Sequence, residues 1–333
     1  MGELRRDPII GQWVVVATNQ ESLTPMAYEI EPHRRGQQEV CQFCPGRERQ
    51  TPSEVDAIRF DGSASNTPGW VARAVPNKFP ALKIEGSLDK RATGIYDISN
   101  GIGAHEVIVE TPDHQKDLAD LSVEEISYAL RLYLNRGLSL AKDKRFKYIM
   151  IFKNYGESAG ASVVHAHSQL IALPMVPKLV LAELEGARNY TKFRGRCLFC
   201  DILEQEYADE ERIVAQNDKF IGFCPFVPRS PFENWIMPKE HEADFFELKD
   251  GDMKDLAAVI KEMLARMQKC LGCSYNFYIH TAPVNYKDKE MYHWHIEIVP
   301  HLIKIKGYEW GTGLYFVPTS PAVAAGYLRD VEL

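Results

Sequence analysis

Along the chain, short apolar-rich runs bounded by polar residues recur, and helical spacing appears in only a few places. Alternation places successive side chains on opposite faces of a strand. Short runs predict strands over residues 12–17, 56–60 and 70–74, and the alternating run at 105–110 predicts another. Ser122-Val-Glu-Glu125 has the form of a capping box, which ties down the first N–H groups of a helix. The helix it opens carries Ile126, Leu130, Tyr133 and Leu134 on one side. Apolar runs at 148–152 and at Leu170-Ile-Ala-Leu-Pro174 predict buried strands, and a polar helical segment then extends to Arg196. Asp252 is placed to cap a second amphipathic helix with Leu256, Val259, Ile260, Met263 and Met267 on its apolar side. Residues 275–279 and 292–300 complete the pattern as strands.

The order of these elements occurs twice. A Cys-x-x-Cys pair, a strand leading through proline to histidine, a helix, a strand, and a His-x-His pair running into a strand that ends at proline appear in each half. His114 precedes His165 by the same interval, to within one residue, as His241 precedes His293. This predicts a duplicated α+β protein with halves at residues 1–177 and 178–333. The two halves would form one antiparallel sheet or closely packed sheets, with helices outside.

The 333 residues suffice for such a duplication. The formal net charge of −7 disfavours nucleic acid or an anionic membrane as the main partner, and with it a zinc-ribbon nucleic-acid binder. Met1-Gly-Glu-Leu-Arg-Arg6 leads into Asp7-Pro8 with no apolar core of a signal peptide, and no run approaches membrane-spanning length. The cytoplasm is the expected compartment. There, six of the seven cysteines in Cys-x-x-Cys pairs point to metal or redox motifs, not a disulfide framework. Cys224 stands alone and is expected to fill the core, as is the third pair, Cys270/Cys273, which lacks a histidine echo.

The candidate chemistry centres on Gly160-Ala-Ser-Val-Val-His-Ala-His-Ser-Gln169. His165, His167 and Gln169 share one face of an extended chain. Imidazole is largely unprotonated near neutral pH and is a good phosphorus nucleophile once one nitrogen is held by an acceptor. Gln169 can donate its amide to a phosphoryl oxygen as charge builds there. The repeat also supplies two sets of thiolate and imidazole donors: Cys41, Cys44, His114 and His165, and then Cys197, Cys200, His241 and His293. Each is a complete tetrahedral set of the type that holds structural Zn2+.

The motif resembles the His-x-His-x-Gln signature of the galactose-1-phosphate uridylyltransferase family, a branch of the histidine-triad superfamily. Asn154-Tyr-Gly156, Gly160-Ala-Ser162 and His165-Ala-His-Ser-Gln169 fall in that family's order. The resemblance implies two histidine-triad-like halves, with His167 as the nucleophile carrying a nucleotidyl group and His165 as a zinc ligand. It implies that Asn154, Gly160, Ser162 and Gln169 touch the nucleotide's phosphates and that Asn77 and Phe79 line the base pocket. It also implies that the loop with Glu309, Thr312 and Gly313 reaches a nucleotide-sugar, often across a homodimer. His280 matches a further family ligand position and competes for the second metal.

Several positions depart from that family. Ala166 and Ser168 stand where proline and glycine are usual. Residues 18–22 carry no arginine where the family has phosphosugar-binding arginines, leaving Arg5 and Arg6, or Arg34 and Arg35, as substitutes. The resemblance implies transfer of uridylyl between UDP-glucose and a hexose 1-phosphate by double displacement. The missing arginines, Ser168 and the Gly-Thr-Gly loop also resemble the ADP-glucose phosphorylase branch, which would use phosphate as acceptor. A zinc-stabilised nucleotide binder without turnover is the rival from another class. In the second half, Glu297 replaces Gln169 and would repel a phosphate, so chemistry is expected in the first half alone.

Overall fold

The computed structural model describes residues 2–30, 41–60 and 62–333, so Arg34 and Arg35 lie outside the described residues. Strands β1 (Glu3–Arg6) and β2 (Trp13–Val16) form an antiparallel pair. The short runs that follow become β3 (Asp56–Arg59) and β4 (Trp70–Pro76). An exposed hairpin, β5 (Arg91–Thr93) and β6 (Tyr96–Ile98), projects before β7 (Ala104–Val109). Ser122 caps α1 (Val123–Leu140), and both bonds of the expected capping box are present. Then come β8 (Tyr148–Tyr155) and β9 (His167–Leu173).

The polar segment before Arg196 forms α2 (Lys178–Arg194), which ends on Gly195 with φ +76°. Helix α3 (Leu198–Asp209) follows, so Cys200 sits inside its first turn. Strands β10 (Ile213–Gln216), β11 (Phe220–Phe223) and β12 (Asn234–Pro238) lead to α4 (Met253–Cys270). Asp252 occupies the N-cap of α4, but its side chain accepts no capping bond and faces Lys219 at 3.8 Å instead. The chain closes with β13 (Tyr275–His280), β14 (His295–Pro300), α5 (Gly307–Thr312), β15 (Tyr315–Val317) and α6 (Pro321–Arg329).

Ten strands make one antiparallel sheet in the order β10-β11-β12-β14-β13-β8-β9-β7-β4-β3. The order is a near mirror about its centre: β3, β4, β7, β9 and β8 on one side answer β10, β11, β12, β14 and β13 on the other. The seam is β8 against β13, with Asn276 opposite Asn154 and Tyr278 opposite Phe152. The sheet is thus continuous across the duplication. A separate small sheet adds β15 parallel to β2, joining the two ends of the chain.

Helices α1 and α4 pack on one face through the expected apolar residues, including Ile126, Leu130, Leu256, Val259, Ile260, Met263 and Met267. Burying each such aliphatic side chain stabilises by roughly 1.5–3 kcal/mol. On the other face, α2 and α3 lie over the second half, where Val180, Leu184, Leu198 and Phe199 cluster with Ile221, Phe223, Trp235 and Met237, and Tyr148 of β8 joins them from the first half. The matching face of the first half carries a smaller apolar group, Cys41, Phe43, Trp70, Val75, Val107 and Val109. The two halves share a backbone plan and differ in what lies on this face. Cys224 and Cys273 are buried in the core, and Cys270 packs at its edge.

Candidate active site and metal-binding groups

β9 alternates His167, Ser168 and Gln169. His167 and Gln169 therefore share the face bearing Val109 and Val107, their partners on β7. Val109 and Val107 belong to the small apolar group around Phe43, whose ring lies 5.3 Å from that of His167. The His167 Nδ1–H donates to the carbonyl of His165 at 2.8 Å. This fixes the tautomer and leaves the Nε2 lone pair, which takes no hydrogen bond among the described residues. Burial, and then the positive charge of Lys153, lower the pKa of His167, so the ring is neutral near pH 7. Only an edge of the residue, 8% of its surface, remains exposed.

Around this ring the structure gathers some of the expected residues and spreads others. The Gln169 carbonyl is engaged by His105 Nε2 at 2.8 Å, and Asn77 Nδ2 lies 3.0 Å from the same nitrogen. Asn77, His105 and Gln169 thus form one row, and His105 is a member that the sequence did not single out. Phe79 projects into solvent, 82% exposed. Gly160 takes φ +88°, in the left-handed region where glycine is unstrained, and ends the short turn Glu157–Ala159. Ser162 is exposed beside it.

The segment expected as a Gly-Thr-Gly loop is in fact the short helix α5 capped by Gly313. Within it, Glu309 is buried and accepts from the Lys306 N–H at 2.5 Å, and Thr312 Oγ1 donates to the Tyr308 carbonyl. The cause is local: Glu309 stands three residues after the N-cap and satisfies an otherwise orphaned donor. Of the substitute arginines, Arg5 is held by Glu3 and by the Phe226 carbonyl.

Behind the sheet, a charged network supports β9. Ser168, pointing to the helix side, touches Glu110 and lies 2.7 Å from the Tyr133 hydroxyl. Lys153 Nζ sits 2.8 Å from Glu110 and 3.1 Å from Asp117. A serine in place of glycine is accommodated because this buried hydroxyl finds partners.

The paired cysteines and histidines converge as expected. Cys41, Cys44, His114 and His165 place their ligand atoms within 4.8 Å of one another, as do Cys197, Cys200, His241 and His293. In the first group Cys44 Sγ lies 3.4 Å from His114 Nδ1 and 3.6 Å from His165 Nδ1, and the two Nδ1 atoms lie 3.3 Å apart. These are the edges of a tetrahedron with bonds of roughly 2.0–2.3 Å. The opposite nitrogens donate to carbonyls: His165 Nε2 to Thr111, His241 to Lys289 and His293 to Pro238. Such outer bonds turn Nδ1 toward an ion.

His280 joins neither set. It lies with Glu183, His295 and Glu297 in a third, fully buried group, with its Nδ1 2.8 Å from Glu183. Burial opposes its charging, but Glu183 and Glu297 hold its pKa above the ordinary histidine range. Arg229 contacts Glu297, and the Tyr278 hydroxyl donates to the same carboxylate at 2.6 Å. The counterpart of the Gln169 position is therefore consumed by an internal ion pair. Neither Arg229 nor Glu183 carries a motif that would have drawn attention to it.

The duplicated α+β fold, with its His-x-His-x-Gln segment on an inner strand of one half, belongs to the nucleotidyltransferases, as the comparison with known proteins shows. The family models agree: the N-terminal domain of galactose-1-phosphate uridyl transferase matches residues 2–177 and its C-terminal domain matches residues 183–308. The chain belongs to the galactose-1-phosphate uridylyltransferase family. It is 33% identical over 343 residues to the ADP-glucose phosphorylase of Arabidopsis thaliana, covering 99% of this chain and 93% of that one. It is 28% identical to the galactose-1-phosphate uridylyltransferase of Thermotoga maritima, covering 100% and 99%. The solved Arabidopsis thaliana ADP-glucose phosphorylase with bound ADP-glucose superposes over the full length of both chains with a TM-score of 0.84. A uridylyltransferase structure, 29% identical over 99% of this chain and 97% of its own, superposes with a TM-score of 0.76. Among the described residues, no helix is long and apolar enough to cross a membrane.

Proposed function

We propose that the protein moves a nucleoside monophosphate from a nucleotide-sugar to a second phosphate by way of His167. Nε2 attacks the α-phosphorus, the bond to the sugar 1-phosphate oxygen breaks, and a nucleotidyl-histidine remains. An oxygen of the incoming phosphate then attacks the same phosphorus, and the imidazole leaves. Ser162, Gln169 and Asn154 hold the non-bridging oxygens while charge redistributes. The observation that carries this reading is the His167 ring itself, neutral, with Nδ1 spent on the His165 carbonyl and Nε2 unspent.

Two acceptors remain in view: a hexose 1-phosphate, with UDP-glucose as donor, or inorganic phosphate, with ADP-glucose as donor. The arginine-free segment at residues 18–22 and the stronger likeness to the Arabidopsis thaliana enzyme favour the second. Cys41, Cys44, His114 and His165 would hold one Zn2+, and Cys197, Cys200, His241 and His293 another. Each set of four donors fits the ion, which then supplies rigidity and no open position. A homodimer is supported by the exposed aromatic residues Tyr308, Trp310 and Phe316 around α5. A cytoplasmic setting is supported by thiols arranged as metal ligands.

The test is intact mass after incubation with ADP-glucose or UDP-glucose alone. An AMP or UMP adduct is expected in the wild-type protein and not in His167→Ala. Discharge of the adduct by phosphate or by galactose 1-phosphate names the acceptor. Tight nucleotide binding with no adduct from either donor would reduce the protein to a binder.

A further inference from the structure

Asn154 stands in the first half but is held by the second. Its Oδ1 accepts from Asn276 Nδ2 at 2.9 Å across the β8–β13 seam. Asn276 Nδ2 also donates to the Ala159 carbonyl at 3.0 Å, and Asn276 Oδ1 faces His301 Nε2 at 2.6 Å. A backbone carbonyl only accepts, so the end of Asn276 facing Ala159 is its NH2 group. Its Oδ1 then faces His301, whose Nε2 must carry the proton. The atom of Asn154 facing the Asn276 NH2 must likewise be its oxygen. The NH2 of Asn154 is thereby turned toward the Gly160 turn, where a Cβ on Gly160 would lie 3.6 Å from it. One carbonyl sets the polarity of three side chains.

The rest of the turn leans on the same strand. Ser158 Oγ donates to Ser274 Oγ at 3.1 Å, and Tyr155 stacks on Tyr275 with centroids 4.7 Å apart. A side chain on Gly156 would strike Ser274 Oγ at 2.1 Å.

We infer that Asn276 and His301 are positioning residues for nucleotidyl transfer, locking the Asn154 amide with its NH2 toward the donor's phosphate. This rests on the reading that Asn154 meets that phosphate. A donor aimed in advance stabilises charge on a phosphoryl oxygen without reorganising during reaction. With the relay cut, the amide is free to turn over and present its carbonyl, which repels the same oxygen. The catalytic half thus depends on two side chains of the half that performs no chemistry.

The experiment measures the rate of adduct formation in rapid-quench mixing with ADP-glucose, and with UDP-glucose in parallel. Asn276→Leu and His301→Leu are expected to slow adduct formation roughly 10- to 100-fold. Labelling of His167 should still reach completion, and the melting temperature should stay near that of the wild type. His301→Gln, whose amide N–H can reach Asn276 Oδ1, should recover most of the rate. In an Asn154→Ala background, Asn276→Leu should add almost nothing. A merely structural role would instead give multiplying losses and no recovery by glutamine. Wild-type rates in Asn276→Leu, or multiplying losses in the double variant, overturn the relay. Absence of an adduct in the wild type overturns the functional reading and the relay with it.

Discussion

The ammonium of Lys153 lies 3.3 Å from the backbone oxygen of His167, reaching it from the helix side of the sheet. Burial alone would discharge this lysine, but Asp117 and Glu110 overcome that and hold its pKa above the usual lysine value. Strand β9 is therefore pinned from behind by a buried ion cluster.

Lys153→Met strands two buried carboxyl groups beside each other. Removing one partner of a buried pair costs about 3–5 kcal/mol. A fall in melting temperature of about 4–7 °C is expected at pH 7 for a chain of 333 residues. An unchanged melting curve would mean that Glu110 and Asp117 are already protonated and the pair is not ionic.

The metal groups should separate in their effects. Metal analysis of the purified protein should find about two zinc ions per chain. Cys44→Ser and Cys200→Ser should each lose one and melt earlier. Only Cys44→Ser should also slow labelling of His167, because His165 belongs to that group and its carbonyl holds the His167 tautomer. Equal slowing by both variants would contradict this division.

Asp7 gives a pH signature. Burial pushes its pKa up to about 6, above its ordinary value of 3.8, despite N–H donors from Ile9 and Ile10. The folded state therefore holds this proton more tightly than the unfolded chain does. Stability from this group is full below about pH 4 and is lost as pH rises toward about 6. Asp7→Asn keeps the Oδ1 that the Ile9 N–H uses and removes the charge. It should stabilise by about 2 kcal/mol at pH 8 and by almost nothing at pH 4, read from urea melts at both. The reverse order would show that Asp7 is stabilised as an anion.

Gly186, inside α2, is a close-approach glycine. A Cβ there would lie 1.7 Å from the Ile9 carbonyl oxygen. Alanine normally improves a helix by about 1 kcal/mol over glycine. Here Gly186→Ala should instead destabilise by about 1–3 kcal/mol, since the obstacle is backbone and α2 must shift. A higher melting temperature would refute the contact.

Periodicity and duplication made the sheet, both amphipathic helices and the two cysteine–histidine groups legible in the sequence. The spacing of repeated motifs survives any loop geometry. Less legible were features that depend on what meets across the fold. Cys200 entered a helix because Leu198–Asp209 continues without a break. Glu309 turned inward to cap its own helix. The network of Lys153, Glu110 and Asp117 joins side chains from separate segments, and no local pattern marks them. Asn276 and His301 escaped for the same reason: their significance is a register, set when β13 pairs with β8.

That pairing also decides what either half would be like alone. The outermost strands of the intact sheet, β3 and β10, are only four residues long. Severed between β9 and β10, the first fragment would uncover β8 along Ile151–Tyr155, the residues that β13 pairs in the intact sheet. Such a rim templates further pairing. An isolated fragment would pair with a second copy of itself or aggregate, so the second half also shields the first from self-association.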